Sequence, residues 1–211
     1  MAIIFSKFLN LEQDKQQRIL RAALKEFAQK GYDDASTIDI AKDAGISKGL
    51  LFHYFKTKKH LFLYLYDYSS EIIKTEYFGM VNVKEKDIFE RLRQSYILKL
   101  ELIHKHPYLF EFSTMAAFTE SAEIREELES RKNDLLSIGY GKMFNLDDES
   151  KFKDGIDVSK AKNIIYWSIS GFANRIQEEL YKSDSDALDY DKILEEFDVY
   201  LKMLREWFYR A

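Results

Sequence analysis

Between Ser36 and Lys59 the chain places three hydroxyl residues at helix-start positions, one glycine turn and five lysines, the residue types that bond phosphate oxygens and approach base edges. Ser36 can accept from a first-turn backbone N–H, while Asp39, three residues on, reaches back toward the cap and suits the positive helix end. That helix must stop near Ala44, because Gly45 suits the left-handed conformation that closes a helix and Ile46 can pack back on the last turn. Ser47 then caps a second helix of about two turns, in which Leu51 and Phe55 form a buried stripe. The opposite arc carries Gly49, Leu50 and His53, flanked by Lys48 and Tyr54.

Three local costs converge on that arc. Leu50 is expected to face water; Gly49 gives up about 1 kcal/mol of helix propensity; and Lys58 and Lys59 oppose the dipole at the start of a third helix begun by Thr57. A DNA duplex accounts for all three, with a thymine methyl against Leu50, close approach at Gly49 and a phosphate at the lysines. A small helical subdomain with a solvated basic edge has the same spacing, and the residues alone leave both open.

The elements that must position this arc are helices throughout. One proline and eight glycines in 211 residues point to an all-α protein, and 46% hydrophobic content can bury a sizeable core. Helices are expected near 12–30, 36–44, 48–54, 57–79, 86–105, 107–119, 122–144, 159–182 and 187–209, about nine in all. Pro107 separates two of them, and the polar stretch 145–158 is the clearest break. Residues 1–10 are expected to fray or pack locally. The helix at 57–79 is expected to run unbroken from the first domain, 1–56, into the second, 57–211.

Composition excludes several classes. With no cysteine there is no disulfide, thiolate zinc site or cysteine redox sensor. No stretch approaches the roughly 20 apolar residues of a membrane span, and the start, with its charge after an apolar run, reads as neither signal peptide nor anchor. A soluble, cytoplasmic protein is the expectation. The net charge of −4 divides unevenly: residues 1–60 hold 11 Lys/Arg against 7 Asp/Glu, the remainder 21 against 29. The basic balance therefore sits with the motif.

From about residue 15 to residue 63 the chain resembles, without gaps, the DNA-binding domain of TetR/AcrR-family transcriptional regulators. The resemblance rests on Phe27-Ala28-Gln29-Lys30-Gly31-Tyr32, on Ile40-Ala41 with Ala44-Gly45-Ile46-Ser47-Lys48-Gly49, and on Leu51-Phe52-His53-Tyr54-Phe55-Lys56-Thr57-Lys58. It implies an N-terminal three-helix helix-turn-helix domain followed by a helical ligand-binding and dimerisation bundle. Ser36 and Thr37 would touch phosphate, Lys48, Gly49 and Leu50 would face base edges with Ser47 beside them, His53 and Tyr54 would lie along the backbone, and Lys58 would bind a phosphate. Phe52 stands where the family usually has a tyrosine, and Leu50 where a small or hydroxylated residue is common.

The family also implies a small, often hydrophobic effector within residues 57–182. Candidate lining residues are Tyr64, Tyr68, Tyr96, Phe110, Met115, Phe118 and Trp167, whose types suit an apolar pocket with orienting hydroxyls, although helical spacing of aromatics is also what any bundle core needs. No cofactor is expected. His104 and His106, two apart on a helix, point in different directions and make no metal site. In the last two helices Ser168, Gly171, Phe172, Arg175, Leu201, Leu204 and Phe208 recur at helical spacing. Small residues there would let a partner helix approach, which, with the family resemblance, leads to a homodimer; packing within one chain explains the same pattern.

The reading is therefore a ligand-responsive regulator, a repressor on a palindromic operator, with an activator of the same kind as the alternative. A hydrolase or a protein-binding helical adaptor are rivals from other classes. The chain has no phosphate loop, and without cysteine a Cys/His pair is impossible, so little supports catalysis.

Overall fold

The computed structural model describes residues 5–131, 135–146, 148–182 and 189–210. Among them lie eleven α-helices: α1 (Ser6–Leu9), α2 (Gln13–Asp34), α3 (Thr37–Asp43), α4 (Lys48–Phe55), α5 (Lys58–Ile72), α6 (Ile88–Lys105), α7 (Leu109–Ala117), α8 (Arg125–Arg131), α9 (Leu135–Phe144), α10 (Val158–Lys182) and α11 (Tyr190–Phe208). A π-helical segment, Ile73–Phe78, follows α5 directly, so helix continues from 58 to 78. The all-α class is as expected. The count exceeds nine because residues 6–9 form a helical turn, and because the stretch expected as one helix over 122–144 is described as α8 and α9, on either side of residues 132–134. No described helix is long and apolar enough to cross a membrane.

The chain packs as two compact units, Met1–Thr75 with Leu102–Asp134 and Glu76–Glu101 with Leu135–Ala211. These follow packing and are not the functional division expected at residues 56/57, which concerns what each part binds. In the first unit α2 is the central helix. Its inner face, Ile19, Leu20, Ala23, Leu24 and Phe27, meets Ile40 and Ala41 of α3, Leu51 and Phe55 of α4, Leu61, Phe62 and Leu65 of α5, and Phe112 of α7. The start of the chain joins this core. Phe5 and Phe8 are buried, with Phe8 at 4.8 Å from the Phe55 ring and Phe5 at 4.8 Å from Tyr64.

The second unit is built on α6, α9, α10 and α11, with Phe89, Tyr96, Phe144, Ile165, Phe172 and Phe197 inside. Asp87 anchors the start of α6. Its Oδ1 accepts from the Phe89 N–H at 3.0 Å, and its carboxylate pairs with Arg205 at 2.8 Å and Lys151 at 2.9 Å. Burial pushes the Asp87 carboxyl up, but the hydrogen bonds from Lys151 and Arg205 outweigh it and hold the group below its ordinary value. Arg91, almost fully buried, donates to the carbonyls of Val83 (2.8 Å), Lys142 (3.1 Å) and Asn145 (2.9 Å), which ties the end of α9 to the entry of α6.

Candidate nucleic-acid interface and effector cavity

The two-helix motif forms largely as its local chemistry dictates. Ser36 Oγ accepts from the Asp39 N–H at 3.2 Å, and Ser47 Oγ from the Leu50 N–H at 3.2 Å, so both helices are capped as expected. Between them Gly45 has φ +68, the Gly45 N–H donates to the Lys42 carbonyl at 3.1 Å and the Ile46 N–H to the Ala41 carbonyl at 2.9 Å. That pair of bonds satisfies two carbonyls that the end of α3 leaves open. One detail departs from expectation: the Ser36 N–H is met not by Asp39 but by Glu26 Oε1 of α2, at 2.8 Å, which also pairs with Lys30 at 2.8 Å. The entry of α3 is thereby tied to the central helix.

A sharp bend ends α4. Lys56 has φ +65 and ψ −55, and the Thr57 N–H donates across it to the Phe55 carbonyl at 2.7 Å. This γ-turn is a strained conformation for a residue with a side chain. Thr57 then caps α5, its Oγ1 accepting from the His60 N–H at 3.1 Å. Lys58 reaches the Asp33 carbonyl at 2.9 Å and lies 4.9 Å from the centre of the Tyr32 ring, which brings the start of α5 to the α2–α3 junction beside Ser36 and Thr37.

On α4, Leu51 and Phe55 point inward, while Ser47, Lys48, Gly49 and His53 are exposed. Leu50 is half-buried against the core of the unit, so only part of its side chain faces out, less than its position on the arc implied. Tyr54 departs further. It is 5% exposed, packs edge-on to Phe8 at 6.4 Å and lies under Lys15, because the aromatic cluster of the chain start closes over it. Gly49 has open space: a Cβ added there would meet only Ser47 Oγ, at 3.9 Å. Among the described residues nothing requires a glycine at that position.

A cavity of about 220 Å³ lies within the second unit. Its walls come from the π-helical segment (Tyr77, Phe78), α6 (Leu92, Ser95, Tyr96, Lys99), α9 (Gly139, Tyr140, Met143), α10 (Tyr166, Ile169) and α11 (Phe197). They are mostly apolar. Tyr77 and Ser95 share a 2.8 Å hydrogen bond, and burial pushes the phenols of Tyr77 and Tyr96 up, so both remain neutral hydroxyls at physiological pH. Among the seven residues expected to line a pocket, Tyr96 is the one in this wall. Tyr64 borders a separate polar cleft of the first unit, Tyr68 bonds His106 Nδ1 at 3.3 Å, and Phe110 and Met115 are half-buried. Phe118 and Trp167 are surface residues, 72% and 65% exposed. Residue type singled out large aromatics but carried no information on which way each helix faces.

The expected dimer residues also divide. Ser168 and Gly171 lie exposed on α10, Arg175 is half-buried in ion pairs with Glu179 and Glu196, and Leu204 and Phe208 are half-buried. Phe172 and Leu201 both sit in the core of the unit, where Phe172 packs on Tyr96 and Phe197. The open apolar surface of these helices is instead Ile164 and Trp167 on α10 and Val199, Tyr200, Met203 and Trp207 on α11. Among the described residues no three His, Asp or Glu side chains gather as metal ligands.

A helix-turn-helix with its second helix exposed at the N-terminal end is an arrangement that can enter a DNA major groove. The chain matches, over residues 19–65, the family described as bacterial regulatory proteins, tetR family. It is 28% identical over 166 residues to the fatty acid metabolism regulator protein of Bacillus subtilis, covering 75% of this chain and 81% of that one. Its fold is similar to a TetR family transcriptional regulator from Chloroflexus aurantiacus, with a TM-score of 0.64 at 22% identity over 98% of both chains. It is also similar to the transcriptional regulator FadR from Bacillus subtilis in complex with stearoyl-CoA, with a TM-score of 0.51 at 19% identity over 89% of this chain and 96% of that one.

Proposed function

We propose that the chain is a repressor that binds a palindromic operator as a homodimer and is released by a small hydrophobic effector, an acyl thioester of coenzyme A being the favoured class. Residues 1–56 would read the DNA, and residues 57–211 would bind the effector and the second copy. The observation that carries the reading is the outer end of α4, where Lys48, Gly49 and His53 are exposed and a glycine is kept although the chain has room for a side chain. Ser36, Thr37 and Lys58 supply phosphate partners at the neighbouring corner. The open apolar face of α10 and α11 supports the dimer, and the apolar cavity together with the fatty-acid relative supports the effector class.

Release follows from the chain path. The helical run that begins beside the recognition helix at Thr57 ends in Tyr77 and Phe78, two cavity-wall residues. A ligand that displaces those rings acts on the same run, and an effector preferring the displaced state by about 3 kcal/mol weakens DNA binding more than a hundredfold. The test is a titration of octanoyl-, dodecanoyl- and stearoyl-CoA into a complex of the protein with its selected operator. Dissociation by at least one is expected; unchanged operator affinity with all three would overturn the effector assignment.

A further inference from the structure

Gly139 lies inside α9, where glycine costs about 1 kcal/mol relative to alanine, so its presence needs a reason. The reason is Phe78. A Cβ at residue 139 would come within 2.9 Å of the ring Cζ and 3.1 Å of Cε1, closer than carbon atoms pack. Both residues line the cavity, and Phe78 is otherwise buried, so the open space beside its ring is the cavity itself. The cavity, at about 220 Å³, is smaller than the 300–1,000 Å³ or so of most ligand pockets.

We infer that Phe78, seated on Gly139, is the specificity-determining residue of the cavity: its ring closes the wall and limits the length of the acyl chain admitted. The inference rests on the cavity being the effector site. Cutting the ring back extends the space, and a methyl group at residue 139 drives the ring off α9 and into it. Only the flexible end of Phe78 must yield to that methyl, so the Gly139→Ala chain should still fold.

The experiment measures dissociation constants of full-length wild type, Phe78→Leu, Phe78→Ala and Gly139→Ala for octanoyl-, dodecanoyl- and stearoyl-CoA by calorimetry, with thermal unfolding as the check on folding. Phe78→Leu keeps most of the buried volume and serves if the alanine variant does not fold. The ratio of long-chain to short-chain affinity should rise about tenfold on cutting back Phe78 and fall by a similar factor in Gly139→Ala. The same ratio in all folded variants overturns the inference, as does an absence of binding to any acyl-CoA. Operator binding, measured separately, distinguishes the two failures. Intact operator binding without acyl-CoA binding leaves the regulator reading standing, and a chain-length shift in a protein that binds no operator sinks that reading and keeps the inference.

Discussion

Gly49 is a residue whose cost the folded chain does not explain. An alanine there finds nothing nearer than 3.9 Å and restores about 1 kcal/mol of helix propensity. Gly49→Ala should therefore raise the unfolding temperature while lowering operator affinity, two readouts that move apart only if the missing side chain makes room for a partner. Unchanged operator affinity would place Gly49 away from the DNA. Lys48→Ala and Leu50→Ala should alter base preference by about 1–3 kcal/mol at the contacted position, whereas Lys58→Ala should weaken all sequences alike, as read by titration of operator variants. At this scale the sequence was informative where chemistry is local. Caps at Ser36 and Ser47 and the turn at Gly45 depend on neighbours within five residues and were legible. The burial of Tyr54 was not, because it depends on Phe8 and Lys15, some forty residues away.

Helices in this chain are held by a few long-range polar ties that no periodic pattern announces. Glu26 caps α3 from α2, ten residues back, and Asp87 joins the start of α6 to Arg205 in α11. Asp87→Ala removes a cap and leaves Arg205 and Lys151 without their shared anion, so it should cost about 3 kcal/mol in urea unfolding at neutral pH. The pH dependence has a definite sign. The Asp87 carboxyl is held below its ordinary value, so its contribution is fully present above the unfolded value of about 4 and is lost as pH falls through the folded value. The difference between wild type and Asp87→Ala should accordingly shrink below about pH 4; a constant difference down to pH 2 would mean that the ion pairs contribute nothing. Helix positions were legible to within a few residues from hydrophobic periodicity and breakers. The π-helical segment and the strained Lys56 were not, since neither has a compositional mark.

Charge divides unevenly along the sequence, and among the described residues α10 and α11 expose large apolar side chains. The basic excess of the first sixty residues against the acidic remainder suits a chain whose first sixty residues carry the DNA contacts. Both tryptophans, Trp167 and Trp207, stand on the open face of α10 and α11, 65% and 74% exposed. If that face buries itself against a second copy, tryptophan emission should shift to the blue with rising protein concentration, and Trp207→Glu should sediment as a monomer and bind operator at least tenfold more weakly. A variant that remains dimeric would move the interface elsewhere. That the last two helices would each show a surface face was legible from helical spacing. Which side they present was not, because Phe172 and Leu201 share that spacing yet turn into the core.

The proposed operator binding has two copies of α4 reading one symmetric duplex. It is tested most directly by selecting bound duplexes from random DNA at moderate salt, then titrating the winning sequence over a range of salt concentrations. Enrichment of a palindrome with half-sites about one helical turn, 34–36 Å, or a similar helical repeat apart is expected, with an affinity that falls steeply with salt. A folded, full-length protein that enriches no sequence, or binds one without salt dependence, would contradict it.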